Sequence, residues 1–411
     1  MYALEELFKL TSIAQAKASI LNHWHVTRAK ERVSLAKALD RELAEHLMAP
    51  EDVPGFTRST VDGYAVKASD TYGATEALPA YLRITGQIMM GQKPMGELQQ
   101  GQAMAIPTGG MLPDGADAVV MVEYTEEFGS HEVAVNRPVS PGENLIRRGE
   151  DVQAGTLVFA ANHRLRPQDL GLLSSLGILE VEVFKPYRVG IISTGNEVVP
   201  PGELPSPGQV RDINSYTLFG LVKKSGAEPV LYGIVRDNLT ELAEKIDRAV
   251  RENDLVLLSG GSSVGTRDFT VEALSRLGEP GLLLHGIPVK PGKPTVVAAA
   301  DGKLIFGLPG HPVSAMVVYG LLVHPLLYYG SYDSSIVPVV HARLARNLAS
   351  ATGRQDHIRV KLLQKEGELW AEPVLGKSGL ISTLVRADGE LIIPADREGL
   401  VTGETVEVRL L

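Results

Sequence analysis

The stretch GLPGHPVSAM, residues 307–316, carries the strongest structural signal in this chain. It follows a short apolar run, residues 303–306, and precedes a long one, residues 313–329, which predicts a strand, a tight turn and a helix. Pro312 suits the first turn of a helix, because the N–H groups of that turn have no partner within the helix and proline lacks one. Such a turn places backbone N–H groups in front of a helix dipole, where phosphate or another oxyanion binds. A purely structural turn is the alternative interpretation.

The composition limits the classes of protein to consider. A length of 411 residues favours several domains over one, and a hydrophobic fraction of 44% is enough to build their cores. The formal net charge of −9 argues against general nucleic-acid binding. The chain has no cysteine, which excludes disulfides, thiolate metal sites and a cysteine nucleophile.

Two segments bear on the location of the protein. Residues 2–17 are amphipathic and include acidic side chains, so they do not have the pattern of a signal peptide. The longest apolar run, residues 313–329, is interrupted by Gly320, His324 and Pro325, which argues against a membrane-spanning helix. The sequence therefore predicts a cytoplasmic protein with no membrane partner.

The spacing of apolar residues and of Gly/Pro turns changes along the chain and divides it into four parts. This division predicts a multidomain α/β plus β protein. The first part combines helical patterns with an elongated linker, and includes a second helical segment with Val33, Leu39 and Leu47 on one face. A small β domain, a central three-layer α/β domain and a C-terminal β barrel or sandwich follow. The predicted bounds are 1–50 with 145–186, then 51–144, 187–333 and 334–411.

The central part alternates apolar strands with helical stretches. This alternation is typical of a parallel-rich sheet covered by helices on both faces. A hairpin around Asp301 and Gly302 is expected to complete the sheet. The predicted strands are 188–193, 228–235, 255–259, 296–300 and 303–306, and the predicted helices are 215–225, 240–253 and 269–277.

Acidic residues follow three of these strands. Ligands of an open α/β sheet bind beyond the carboxyl ends of its strands, where Glu197, Asp237 and Asp268 are expected to converge. Carboxylates beside a phosphate site suit magnesium, which prefers hard oxygen ligands. Each acid has an alternative role, as a helix cap at Asp237 or Asp268 and as a solvated loop residue at Glu197. The predicted phosphate-binding residues are Ser193, Thr194, Gly195, Gly260, Gly261, Ser262, Ser263, Pro309, Gly310 and Pro312.

A cationic segment, VKPGKP, occupies residues 289–294. Its prolines and glycine restrict the backbone around Lys290 and Lys293, so that both ammonium groups can face one oxyanion. Two exposed lysines in a turn that serve only solubility are the alternative.

Seven motifs together resemble the molybdopterin molybdenumtransferase family, which includes the E domains of plant and animal molybdenum-cofactor proteins such as gephyrin. They occur in the family's order along nearly the whole chain. The motifs are RSTVDGYAV (58–66), IPTGGMLPDGADAVVMVE (106–123), GENLIRRGED (142–151), ISTGNEV (192–198), SGGSSVGTRDFT (259–270), VKPGKP (289–294) and GLPGHPVSA (307–315).

The resemblance implies a reaction and roles for the candidate residues. Family members take adenylylated molybdopterin and molybdate, release AMP with magnesium, and leave molybdenum on the pterin dithiolate. By match to the motifs, Glu197, Asp237 and Asp268 belong to the nucleotide and magnesium site. Lys290 and Lys293 help to hold the oxyanion.

The resemblance also implies that the site is shared between subunits. Asp62 and Thr108, in the small β domain, are expected to complete the site of the partner in a homodimer. Ser378 and Arg359 match a serine motif and an arginine of the C-terminal part. A contact with the molybdopterin adenylyltransferase, which supplies the substrate, is a further expectation.

The chain departs from the family pattern at three places. His311 stands where the family turn often has asparagine, and because histidine titrates near neutral pH it predicts pH-dependent ligand affinity. One cation of some members is absent near Gly286, and His357 stands where an aromatic residue is commoner. Two other functions remain as alternatives: adenylylation of molybdopterin, and a scaffold that binds the cofactor without turnover.

Overall fold

The computed structural model describes residues 10–129, 131–260, 266–333 and 337–411, with side chains of the third range from residue 269 onward. The chain forms two compact units. The first holds the chain up to Ala29 together with Lys185–Leu411, and the second is Lys30–Phe184. The finer division into four domains stays a prediction.

A six-stranded sheet forms the centre of the first unit. Its first four strands pair in parallel, and only Val296–Ala300 runs in the opposite direction, which confirms the predicted parallel-rich sheet and the hairpin around Asp301. In spatial order the strands are Glu228–Val235, Arg188–Thr194, Leu255–Ser259, Lys303–Leu308, Val296–Ala300 and Pro280–His285.

Helices cover both faces of this sheet, because its central strands are apolar on both sides. Two of these helices begin at polar caps: Ser12 forms a capping box with Gln15, and the Asn238 side chain accepts from the N–H groups of Thr240 and Glu241. On one face lie Ile13–Asn22, Asn214–Lys224 and the helix that begins at Pro312, and on the other lie Leu239–Glu252 and Thr266–Ser275.

The predicted helix after the GLPGHP turn runs as one continuous apolar element. It comprises Pro312–Val318, a π turn over Tyr319–Val323, and His324–Tyr329. The wide turn precedes Pro325, which cannot donate to the helix ladder. By length and composition Pro312–Tyr329 could cross a membrane, but 67% of it is buried inside the protein, as in a core helix.

The C-terminal part is a closed barrel, as predicted. Five strands pair in a ring, because Gln355–Lys365 pairs on one side with Glu368–Pro373 and on the other with Gly389–Ile393. The ring continues through Val339–Leu344 and Thr405–Leu410. Val289–Lys290 pairs with Gln355 and Asp356 of the barrel, and Leu348–Ala349 pairs with Gly399–Leu400. The C-terminal part also contains the short helix Ser382–Val385. Elsewhere in the first unit, Val198–Val199 pairs with Val210–Arg211.

The second unit is mostly β structure, as predicted for its central region. Its six-stranded sheet has the order Ala118–Met121, Gly63–Val66, Gln102–Ile106, Ala80–Gln87, Glu132–Val135 and Thr125–Phe128. Three further strand pairs are Arg58–Ser59 with Leu145–Ile146, Leu47–Met48 with Leu157–Phe159, and Lys30–Ser34 with Glu180–Phe184. The unit also contains the helix Pro167–Ser175 and the 3₁₀ turns Leu35–Lys37, Ala68–Thr71 and Val122–Tyr124.

The predicted second helical segment of the N-terminal part is wrong. Lys30–Ser34 is a strand that pairs with Glu180–Phe184, and Leu35–Lys37 is one short 3₁₀ turn. Leu43 forms an isolated bridge to Val183. The helical spacing was misleading, because pairing with a strand about 150 residues away packs Val33 and Leu43 into the core, whereas Leu39 is 44% exposed.

Substitution of Gly63 by alanine tests the close packing of the second unit's sheet. A Cβ atom there would lie 1.9 Å from the backbone oxygen of Val120 on the paired strand, so Gly63→Ala must push two strands apart. We expect a loss of about 1–3 kcal/mol in the free energy of unfolding, measured by urea denaturation. The matched control is Gly86→Ala in the same sheet, where the added methyl group meets nothing within 4 Å. Equal stability of the two variants would contradict this packing.

Candidate functional site

A buried polar cluster supports the end of the strand Arg188–Thr194. The Ser193 hydroxyl lies 3.0 Å from Asp212 Oδ1 and 2.9 Å from the Ser215 hydroxyl. The same Asp212 oxygen accepts from the backbone N–H of Ser215 at 3.0 Å. All three side chains are buried. Ser193, which the sequence assigned to phosphate binding, therefore has a structural partner in this cluster.

Asn214 joins two of the predicted loops. Its side-chain amide nitrogen donates to the Ser259 hydroxyl at 2.6 Å and to the Gly310 carbonyl at 2.8 Å. The side chain is 8% exposed, and its Oδ1 has no hydrogen-bond partner among the described residues. Asp212 and Asn214 were not predicted from the sequence, although the segment DINS, just before a helix, carries the polar side chains typical of a helix start.

The ends of three parallel strands meet closely. Gly260 has φ +144°, and a Cβ atom there would lie 2.1 Å from the Thr194 carbonyl oxygen, so only glycine fits between the two chains. The N–H of Gly195 donates to the Val235 carbonyl at 3.1 Å. The loops that follow Thr194, Val235 and Ser259 therefore start beside one another, as the strand order predicts.

Glu197 and Asp237 interact through their charges. Partial burial raises the pKa of the Asp237 carboxyl, and repulsion from the Glu197 carboxylate raises it further. A hydrogen bond from the backbone N–H of Asp237 to Asn196 Oδ1, 3.1 Å long, holds the two loops together. Two neighbouring carboxylates that repel each other are suited to sharing a cation.

Asp237 does not cap the following helix. Asn238 occupies the N-cap and its Oδ1 accepts from Thr240 and Glu241, so the capping role considered for Asp237 is wrong. The Asp237 carboxylate stays at the strand end beside Glu197.

Four of the predicted site residues lie wholly or partly outside the described structure. Gly261, Ser262 and Ser263 lie outside the described residues. Asp268 belongs to the helix Thr266–Ser275, but its side chain is not among those described. Within the described part of the chain, no group of three or more histidine, aspartate and glutamate side chains forms a metal site. The three-carboxylate magnesium site stays a prediction.

The GLPGHP turn packs against the C-terminal loop that contains Ser378. The Ser378 hydroxyl lies 2.9 Å from His311 Nδ1, and the Ser378 carbonyl accepts from the N–H of Val313 at 3.2 Å. One N–H group at the start of the helix is thus used inside the protein and not left for an anion. Pro309, Gly310 and Pro312 share this turn, with Gly310 held by Asn214.

Lys290 is held by a buried carboxylate. Its Nζ lies 3.3 Å from Asp356 Oδ2, while Arg354 Nε lies 3.0 Å from Asp356 Oδ1. The Asp356 side chain is only 1% exposed, whereas that of Lys290 is 55% exposed. The carbonyl of Lys293 accepts from the N–H groups of Ile287 and Thr295, which fixes the same loop. Asp356 and Arg354 were not predicted from the sequence, although both lie within five residues of Arg359, which was.

Arg359 lies on the opposite face of its strand from Asp356. Side chains alternate along a strand, so Arg359 shares a face with His357. Its Nη2 donates to the Gly376 carbonyl at 3.1 Å. Arg359 therefore supports the loop that carries Ser378, and it is separated by its orientation from the Lys290 cluster.

Asp62 and Thr108 contact each other on the surface of the second unit. Asp62 Oδ1 accepts from the Thr108 N–H at 2.7 Å and from the Thr108 hydroxyl at 3.1 Å. Both residues are exposed. The sequence predicted a common role for two residues 46 positions apart, and the structure brings them together.

Three family models match successive parts of the chain. The "MoeA N-terminal region (domain I and II)" matches residues 11–177, and the "Probable molybdopterin binding domain" matches residues 190–329. The "MoeA C-terminal region (domain IV)" matches residues 341–411.

Several relatives match over almost their whole length. The molybdopterin molybdenumtransferase of Haemophilus influenzae is 33% identical over 403 residues, covering 97% of this chain and 98% of the relative. That of Bacillus subtilis is 32% identical, covering 95% of this chain and 91% of the relative. The crystal structure of the molybdopterin biosynthesis moeA protein from Pyrococcus horikoshii OT3 has a TM-score of 0.86 and 33% identity, covering 98% of this chain and 100% of the other.

Proposed function

This chain belongs to the molybdopterin molybdenumtransferase family, and we propose that it inserts molybdenum from molybdate into adenylylated molybdopterin, with release of AMP. The product is the molybdenum cofactor, and the pterin supplies the dithiolate, so the absence of cysteine is no obstacle. The observation that supports this proposal best is the meeting of the loops after Thr194, Val235 and Ser259 with the GLPGHP turn.

The adenylyl phosphate is assigned to this strand-end edge. The turn around Gly310 lies close to the ends of the parallel strands, where such sheets bind ligands, and the loop after Gly260, which lies outside the described residues, is the predicted second phosphate-binding segment. Asn214 fixes the distance between the end of the strand Leu255–Ser259 and the turn around Gly310. We assign Asn214 to positioning these loops.

Magnesium fits the acidic side of this edge. Mg²⁺ is usually bound by one or two carboxylates together with water and substrate phosphate, and Glu197 and Asp237 provide two neighbouring carboxylates. These residues would hold the ion, with Asp268 as the predicted third ligand. When bound, it would neutralise charge on the phosphate as AMP departs.

The oxyanion is assigned to the cationic loop. Lys290 keeps more than half of its side chain exposed although its ammonium group is anchored by Asp356. Arg354 shares the same carboxylate, so two cations are held in place without being buried. Molybdate, the substrate, carries two negative charges and accepts charge-assisted hydrogen bonds from such groups. Lys293 belongs to the same loop.

The shared site requires two subunits in the proposed arrangement. Asp62 and Thr108, held together on the second unit, would complete the site of the partner in a homodimer. The substrate would arrive from the adenylyltransferase that precedes this step. A cytoplasmic location belongs to the same proposal, and fractionation of cells would test it.

One assay separates this function from its two alternatives. The purified chain is supplied with adenylylated molybdopterin, magnesium and molybdate, and the products are analysed for AMP and metal-loaded cofactor. Formation of adenylylated molybdopterin from ATP would instead indicate an adenylyltransferase. Binding of the pterin without any product would indicate a scaffold.

Asp237→Asn tests the magnesium side. We expect AMP release to fall by about 100-fold or more at saturating magnesium, because charge stabilisation by a bound metal lowers the barrier by several kcal/mol. The fold should persist, since Asp237 caps no helix. Asp247→Asn, an exposed acid on the helix Leu239–Glu252, is the matched control. Unchanged turnover of the Asp237 variant would remove this residue from the site.

Lys290→Met tests the oxyanion side. It keeps the aliphatic stem and removes the charge, so half-maximal insertion should need about 10- to 150-fold more molybdate, the loss expected for one charge-assisted contact. Arg354 continues to pair with Asp356, and excess molybdate should restore turnover. Lys361→Met, on the same barrel strand as Asp356, serves as the control. Weak pterin binding with unchanged molybdate dependence would show that Lys290 holds the phosphate instead.

Mixed dimers test the shared site. Asp62→Asn keeps an oxygen for the Thr108 hydrogen bonds but loses its charge, and we expect it to be inactive alone. Mixing it with the inactive Asp237→Asn chain should restore activity, because one site of each heterodimer then holds both intact residues. Subunit exchange is verified by native mass spectrometry of differently sized tags. Exchange without regained activity would rule out a site built across subunits.

A further inference from the structure

A cavity of about 470 Å³ lies in the first unit, between the long apolar helix and the C-terminal barrel. The helix contributes side chains from Met316 onward, so the cavity does not include the GLPGHP turn at its start. Its volume is within the range of pockets that bind small organic molecules. Apart from Arg359, no residue assigned above to the molybdenum chemistry lines this cavity.

Three cations on the cavity wall have no counter-charge of their own. Lys17, Lys224 and Arg409 line the cavity, and no carboxylate of the described residues lies within ion-pair distance of any of them. Burial lowers the pKa of the Lys17 ammonium, and repulsion from Arg409 lowers it further. Like charges gathered at a partly buried surface cost free energy, and a bound anion relieves that cost.

The carboxylates of the wall do not cancel this charge. Glu390 Oε1 lies 3.0 Å from His357 Nδ1. Burial lowers the pKa of Arg359 and the Glu390 charge opposes that shift, so Glu390 acts on Arg359. Asp333 is exposed at the wall. On the rest of the wall, the three cations Lys17, Lys224 and Arg409 therefore face one acidic side chain, Asp333.

Arg359 adds a buried donor to the same wall. It is 7% exposed, and its Nη2 donates to the Gly376 carbonyl. Its Nε has no hydrogen-bond partner among the residues that the structure describes. A buried guanidinium N–H without an acceptor is costly, and an anionic oxygen is the strongest acceptor for it.

Apolar and aromatic side chains form the rest of the wall. Tyr319, Leu321, Tyr332 and Leu384 face the cavity, and Lys17 Nζ lies 5.2 Å from the centre of the Tyr332 ring. We propose that this cavity is a second ligand site, for a small organic anion with a planar apolar body and one carboxylate or phosphate group. The body packs on the aromatic wall, and the anionic group meets the cations.

Calorimetric titration of the full chain tests this site with three probes of one shape. They are 2-naphthoate, 2-naphthyl phosphate and the neutral 2-naphthamide. We expect at least one anion to bind about tenfold or more tightly than the amide, since charge-assisted contacts are lost with the charge. The two anions distinguish a carboxylate ligand from a phosphate ligand. Equal affinity of all three probes would overturn the proposal.

Two variants locate the bound probe. Lys17→Gln and Arg409→Gln should each weaken the better anion by about tenfold or more, while Arg343→Gln, which removes an exposed barrel arginine paired with Glu368, should not. Both cavity variants should melt at or above the temperature of the parent, because they remove like-charge repulsion. Unchanged affinity in both variants would place the probe elsewhere and refute the site.

Discussion

The parallel alignment of four central strands is the constraint on which the rest of this structure depends. Parallel strands with a common direction end at one edge of the sheet, so the segments that leave them must lie side by side. At this edge Gly260 passes so close to Thr194 that a side chain would collide with the backbone. The Asn214 amide then fastens the edge by bonding Ser259 and Gly310 at once. Loops brought together in this way can share one ligand.

The C-terminal barrel completes this edge from the other side. Two separate contacts hold it there: the strand Val289–Lys290 pairs with Gln355 and Asp356, and Ser378 meets His311. The first contact involves the loop with Lys290 and its buried partner Asp356. The second involves the GLPGHP turn, which is the predicted anion site. The barrel therefore supports both the assigned oxyanion side and the assigned phosphate side, although it contributes no strand to the central sheet.

Like charges lie together at two places in the first unit. Glu197 raises the pKa of Asp237 at the strand ends, and Arg409 contributes to the lowered pKa of Lys17 in the cavity. Neither pair favours the folded protein by itself, because repulsion grows as water is removed. Each arrangement suits a ligand of opposite charge: a divalent cation at the first and an organic anion at the second. Such local costs are typical of binding sites.

The sequence by itself determined the layered α/β core, the hairpin around Asp301, the barrel and the strand-end position of Glu197 and Asp237. These features follow from local periodicity and turn chemistry, which neighbouring residues encode. Only the tertiary structure decided that Val33 lies in a strand, that Asn214 spans two loops, and that Asp356 anchors Lys290. Those contacts join residues 45 to about 150 positions apart, and no local pattern specifies which distant partner completes a buried hydrogen bond or ladder.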